Sequence, residues 1–185
     1  MKCKLLFLSI FSILSLAACG ESLVDDIYKH AHDKNKNSIT SFIILSNIRL
    51  SEGFIEKIED DYRKEKSKNI KYYYEYLLAK RTQEEKYINA FISNSKNHLD
   101  DLRQNNSNWI SISSPVYKQL AYYSKTNDDA LNILFELIKV SDGANLSVIS
   151  DDLNEIRKIS PDRFLNAVRK SGVRESEINN LMENE

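Results

Sequence analysis

The sequence predicts an all-α fold, a stack of short antiparallel helices, and three observations point there. Glycine occurs only at 20, 53, 143 and 172 and proline only at 115 and 161, so the 185 residues carry few breakers. Apolar residues recur at three-and-four spacings through most of the chain, the period of one helical face. Helix start signals also punctuate it repeatedly: Ser51-Glu52, Thr82 with Glu85, Ser114-Pro115, Asn127-Asp128-Asp129 and Ser160-Pro161.

Taken in order, residues 22–34 place Leu23, Ile27, Tyr28 and Ala31 on one helical face, with Asp25 and Asp26 favourable in the first turn. Residues 38–50 are ambiguous. Ile39, Phe42, Ile43, Ile44, Leu45 and Ile48 suit a strand, but Ile39, Phe42, Leu45 and Ile48 step by threes, and the helical neighbours favour helix. Ser51 then caps a helix with Phe54, Ile55, Ile58 and Tyr62 inward. A helix over 70–80 carries Ile70, Tyr73, Tyr74, Leu77 and Leu78. Thr82-Gln83-Glu84-Glu85 has the capping-box spacing and opens a helix burying Ile88, Phe91 and Ile92.

A short helix is expected around His98–Arg103, and 105–114 reads as a loop in which Trp109-Ile110-Ser111-Ile112 could pair as a strand. Helices of about 115–125, from Asn127, of about 145–159 with Leu146, Ile149, Leu153 and Ile156, and from Pro161 with Phe164, Leu165 and Val168 follow. Gly172 falls where a C′ glycine belongs, and a last helix carries Ile178, Leu181 and Met182. Two capped helical pairs, Tyr73 to Ile92 around Thr82 and Lys118 to Leu137 around Asn127, lie 45 residues apart. That period resembles HEAT or armadillo repeats, which implies a helical solenoid; an irregular bundle is the alternative.

The first eighteen residues follow another logic. Met1-Lys2-Cys3-Lys4 is positive, and Leu5–Leu16 is an apolar run broken only by Ser9, Ser12 and Ser15, too short to span a bilayer. Leu16-Ala17-Ala18-Cys19-Gly20 resembles the lipobox of bacterial lipoproteins. The resemblance covers the first twenty residues. It implies removal of 1–18, a diacylglyceryl group on the Cys19 thiol, a further acyl chain such as palmitate on its amino group, and residues 19–185 held at a membrane. Gly20, where an aspartate would imply inner-membrane retention, implies the periplasmic side of the outer membrane in a Gram-negative host.

Cys3 and Cys19 are the two cysteines, so on this reading the mature chain has no free thiol or disulfide. Loss of Lys2 and Lys4 leaves 24 of 26 basic residues against 27 acidic ones, and the net charge moves from −1 to −3. Such a mildly acidic, mixed surface carries no nucleic-acid footprint.

No catalytic motif is visible. His30 and His32 are two apart and diverge on a helix, His98 is isolated, and the pairs Asp60-Asp61, Asp100-Asp101 and Asp151-Asp152 suit solvated faces. No cofactor or metal is expected. The tyrosines stand out: Tyr72, Tyr73, Tyr74 and Tyr76 share one helix, and three consecutive residues sweep about 200° of its circumference. With Tyr73 and Tyr74 aligned to Leu77 and Leu78, Tyr72 and Tyr76 fall on a neighbouring face, as protein-binding anchors or as packing against another helix; Tyr122-Tyr123 repeats the pattern. The sequence therefore leads to a non-enzymatic, lipid-anchored module binding a protein partner at the cell envelope, of immunity type or as an accessory subunit. An envelope hydrolase using Asp or Glu residues assembled by the fold is the alternative.

Overall fold

The computed structural model describes residues 23–33, 37–104, 112–140, 149–174, 176, 178 and 179, and their regular secondary structure is helical throughout. The leader, Cys19, most of the 105–114 loop with Trp109, and Leu146, Leu181 and Met182 lie outside the described residues.

The first helix, α1, covers 23–31 and buries Tyr28 and Ala31, while Leu23 is 62% exposed instead of joining the core. The ambiguous segment is a helix, α2 (Asn37–Asn47), with Phe42 and Leu45 fully buried. Ser51 caps α3 (Glu52–Lys64), its Oγ accepting the Phe54 N–H at 3.3 Å. α4 (Lys68–Thr82) and α5 (Glu85–Ser95) form the first tight hairpin.

The expected capping box between them does not form. α4 runs through Thr82 and ends on Gln83 in the left-handed region at φ 57°, so the Thr82 hydroxyl donates back to the Leu78 carbonyl at 2.9 Å. The same hydroxyl oxygen accepts the Glu84 N–H at 3.2 Å, and α5 starts without a side-chain cap of its own.

A 3₁₀ turn (Lys96–His98) leads into α6 (Leu99–Gln104). The second hairpin is α7 (Ser114–Ser124) and α8 (Asp128–Val140). Ser114 is already helical, not the cap. Ser113 occupies that position and spends its hydroxyl on the Leu102 carbonyl at 2.8 Å, tying α7 to α6. Asn127 does cap α8, accepting the Ala130 N–H at 3.0 Å. α9 (Ser150–Ile159) and α10 (Pro161–Ser171) follow, the latter with proline in its first turn and a left-handed Gly172 at φ 70°. Ile178 is fully buried.

The two hairpins pack on each other through α5 and α8, α2 and α3 close on α4, and α7 and α8 carry α9 and α10. This order of contacts, mostly between elements adjacent or nearly adjacent in the chain, is that of a stack around one continuous core. Arg163 of α10 locks the far end. Its Nη1 and Nη2 donate to the carbonyls of Lys125 (2.9 Å) and Ser124 (3.2 Å), and its Nε donates to Asp128 (2.6 Å). One guanidinium thus satisfies carbonyls left open at the α7 C-terminus and holds α10 to the start of α8.

Candidate binding groove

The tyrosines of α4 are core residues. Every residue from Tyr72 to Ala79 is buried, and Tyr72 and Tyr76 are 0% exposed, so neither is an anchor on the surface of the folded chain. The reason is the number of neighbours: α2, α3 and α5 all pack on α4, and no arc of the helix from 72 to 79 reaches water. A helix apolar all round is one buried all round.

The hydroxyls of Tyr72, Tyr74 and Tyr76 find partners inside. Ser95 spends its proton on the Phe91 carbonyl at 2.7 Å, so Tyr72 donates to Ser95 Oγ at 3.0 Å; the Tyr72 ring also stacks on His98 at 4.2 Å. Tyr76 lies 3.4 Å from the Ser46 hydroxyl. Glu75, 2% exposed, accepts from Tyr62 at 3.3 Å on one oxygen and from Asn94 at 2.7 Å on the other. Burial raises the phenol pKa of Tyr62 and Tyr74 to about 12, and pushes that of Tyr72 well up, so these groups act as neutral hydrogen-bonding spacers. The exposed tyrosine of the chain is instead Tyr122, 56% exposed and edge-on to Tyr123.

Open space lies elsewhere, in a groove of about 850 Å³ where the two hairpins meet. One wall is the α5 face bearing Asn89, Ile92 and Ser93, continued by Lys96 and Leu99; the other is the α8 face bearing Asp129, Asn132, Ile133 and Glu136, with Asn127 at its cap. Both walls follow the three-and-four spacing of a single helical face. Ile92 and Ile133 are 3% and 7% exposed and form an apolar floor. Asn89, Ser93 and Asn132 offer hydrogen-bonding groups that no other described residue occupies, whereas Glu136 is engaged by Lys139 at 3.3 Å. None of these residues stands out in the sequence, because their convergence depends on how two hairpins 45 residues apart dock.

A second, more apolar cleft of about 630 Å³ opens at the start of α1, lined by Leu23, Val24, Ile48, Leu50 and Phe54, with Arg49 and Lys57 beside them. Among the described residues no cluster of three or more His, Cys, Asp and Glu could hold a metal ion, and no helix is long and apolar enough to cross a membrane. His30 pairs with Asp33 at 2.8 Å on the surface, and His98 with Asp101 at 3.2 Å.

No family model, curated protein or solved structure matches the chain. The fold and groove define an all-α protein of stacked helical hairpins.

Proposed function

We propose that the chain is a lipid-anchored, non-enzymatic protein-binding module at the cell envelope, tethered through an acylated Cys19 and engaging its partner through the groove between α5 and α8. The observation that carries this reading is the groove itself. An apolar floor flanked by unoccupied amide and hydroxyl groups is the anatomy of a recognition surface, with a desolvated centre and a polar rim. Its two carboxylates are set apart from each other. Asp129 and Glu136 are seven residues apart on α8, about 10 Å along the axis at 1.5 Å per residue, so they are not the closely shared pair of a carboxylate dyad, and Glu136 is engaged by Lys139. The buried Glu75 has both oxygens occupied and lines neither cavity.

Tethering supports the same reading. Leu23 stands four positions after Cys19, so the bilayer would hold the domain within about 14 Å of extended chain and raise its effective concentration toward any envelope partner. The exposed Leu23 and the apolar cleft beside it are compatible with a face turned toward lipid.

The test is site-specific photocrosslinking in intact membranes. A photoreactive residue at Ser93 or Asn132 should give one discrete adduct that the same residue at Glu155, on the outer side of α9, does not. Equal adducts from all three positions, or none from the groove, would contradict the reading.

A further inference from the structure

Two large apolar side chains are left exposed at one end of the stack: Leu23 at the head of α1, and Ile44, 42% exposed, on α2. Ile44 stands four positions before Ile48, which with Leu23, Val24 and Phe54 lines the apolar cleft of about 630 Å³. Lys57 joins α1 to α3 along that cleft. Its Nζ donates to Asp25 Oδ1 at 3.0 Å and sits 5.1 Å from the centroids of both the Tyr28 and the Phe54 ring, and these rings meet edge-on at 5.2 Å.

The charges lining the cleft are Asp25, Arg49 and Lys57. Asp25 and Lys57 neutralise each other, whereas Arg49 is exposed and makes no ion pair with any described residue. The exposed acids nearest in the chain, Asp26, Glu52 and Glu56, do not line the cleft. An apolar surface with one free guanidinium at its edge has the chemistry of a face that meets lipid.

On the reading that Cys19 is acylated, the length of the tether decides what covers this face. Leu23 is four residues from Cys19, at most about 14 Å of extended chain. The lipid fixes Cys19 at the base of the headgroups, a layer about 6 Å deep on each side of the hydrocarbon. About 8 Å then remains between the headgroups and Leu23, less than the diameter of about 10 Å of a single helix. No folded partner fits in that gap.

We propose that the leaflet carrying the Cys19 lipid is itself the occupant: Leu23, Ile44 and Ile48 settle at the boundary between headgroups and acyl chains, and the Arg49 guanidinium pairs with a lipid phosphate. This inference rests on the lipid anchor proposed above and adds an orientation to it, with the ends of α1, α2 and α3 that border the cleft on the membrane. The groove between α5 and α8 shares no lining residue with this face and stays available to a partner.

Depth-dependent fluorescence quenching of the acylated chain in nanodiscs tests the orientation. With Cys19 acylated the mature chain has no free thiol, so Gly53→Cys supplies one labelling position in the cleft, where an added Cβ meets nothing within 4 Å. A bimane there should be quenched severalfold more by brominated acyl chains than the same label at Lys158→Cys, exposed on α9. Replacing the exposed Leu23 and Ile44 by serine should remove about half of that quenching, since burial of apolar area holds the face down. Adding phosphatidylglycerol to phosphatidylcholine should bring the Gly53 label deeper in the parent and not in Arg49→Gln.

Mass spectrometry of the same sample separates the two claims. An acylated chain with equal quenching at both positions overturns the orientation alone, and an unacylated Cys19 overturns the anchor and the orientation together. A Gly53 label shielded from aqueous iodide but untouched by brominated chains would assign the cleft to a second copy or to residues 19–22, and would also overturn the proposal. A response to phosphatidylglycerol that survives in Arg49→Gln would overturn the phosphate contact.

Discussion

The two ends of the stack reach the same degree of burial with different chemistry. From α1 to α5 the core is aromatic and wet with hydroxyls: Tyr28, Tyr72, Tyr73, Tyr74, Tyr76 and Tyr87 interleave with Phe42 and Phe91, and all but the Tyr73 oxygen are hydrogen-bonded, Tyr74 to Tyr28 and the others to Asp61, Ser46, Ser95 and Glu59. From α8 to α10 it is mainly aliphatic, built on Leu131, Leu134, Leu137, Ile138, Leu153, Ile156 and Val168 around the Phe135–Phe164 pair. An aliphatic core is specified by volume alone and tolerates repacking, whereas a tyrosine core also requires each hydroxyl to find its partner. The α1–α5 half is therefore the more exacting in geometry, and the more sensitive to any change in the state of its phenols.

The largest expected difference between the halves follows from alkali. Burial raises the pKa of Tyr28, Tyr62, Tyr72, Tyr73, Tyr74, Tyr76 and Tyr87 in the first half, and of Tyr123 on α7 between the two, but of no described residue from α8 to α10. The folded state holds these protons more tightly than the unfolded chain does. Their contribution to stability is thus complete below the unfolded value near 10 and is lost as pH rises from there through about 12. Amide hydrogen exchange measured from pH 9 upward should accelerate in α2 to α5 before α8 to α10. Simultaneous loss of protection would erase the distinction.

Single substitutions sharpen the comparison. Tyr72→Ala should cost about 3–5 kcal/mol, as for other large aromatic-to-alanine changes in a core, and Leu134→Ala about 2–5 kcal/mol. The halves separate on the milder change. Tyr72→Phe keeps the ring but removes the donor to Ser95 and should cost about 1 kcal/mol in chemical denaturation. Leu134→Met, a volume-conserving swap in the aliphatic half, should stay under about 1.5 kcal/mol without disturbing any hydrogen bond. The smallest effect belongs to Tyr122→Ala: at an exposed position it should leave the midpoint within about 0.5 kcal/mol of the parent.

Where the chain was legible, a local interaction decides the outcome. Ser51 and Asn127 cap because their side chains reach N–H groups three residues on, and Gly172 ends α10 because the left-handed conformation suits it. Thr82 has the right spacing for a cap, yet Gln83 takes the left-handed turn one residue later, and the hydroxyl is drawn back to Leu78. Tyr72 and Tyr76 show the limit most clearly. Counting faces assumes one neighbour for α4, whereas three helices surround it. One signal was present: from 72 to 79 Glu75 is the sole charge, the mark of a helix with no solvated face. The groove was illegible because Asn89, Ser93 and Asn132 are ordinary surface residues until α5 meets α8.

The proposed function as an envelope module depends on the chain being held at a membrane through Cys19. Mass spectrometry of the protein purified from native membranes tests this most directly. The account predicts an amino terminus at Cys19 carrying a thioether-linked diacylglyceryl group, with residues 1–18 absent, and unprocessed precursor in Cys19→Ser. A chain that begins at another residue with an unmodified Cys19 thiol, or one processed equally well in Cys19→Ser, would contradict it.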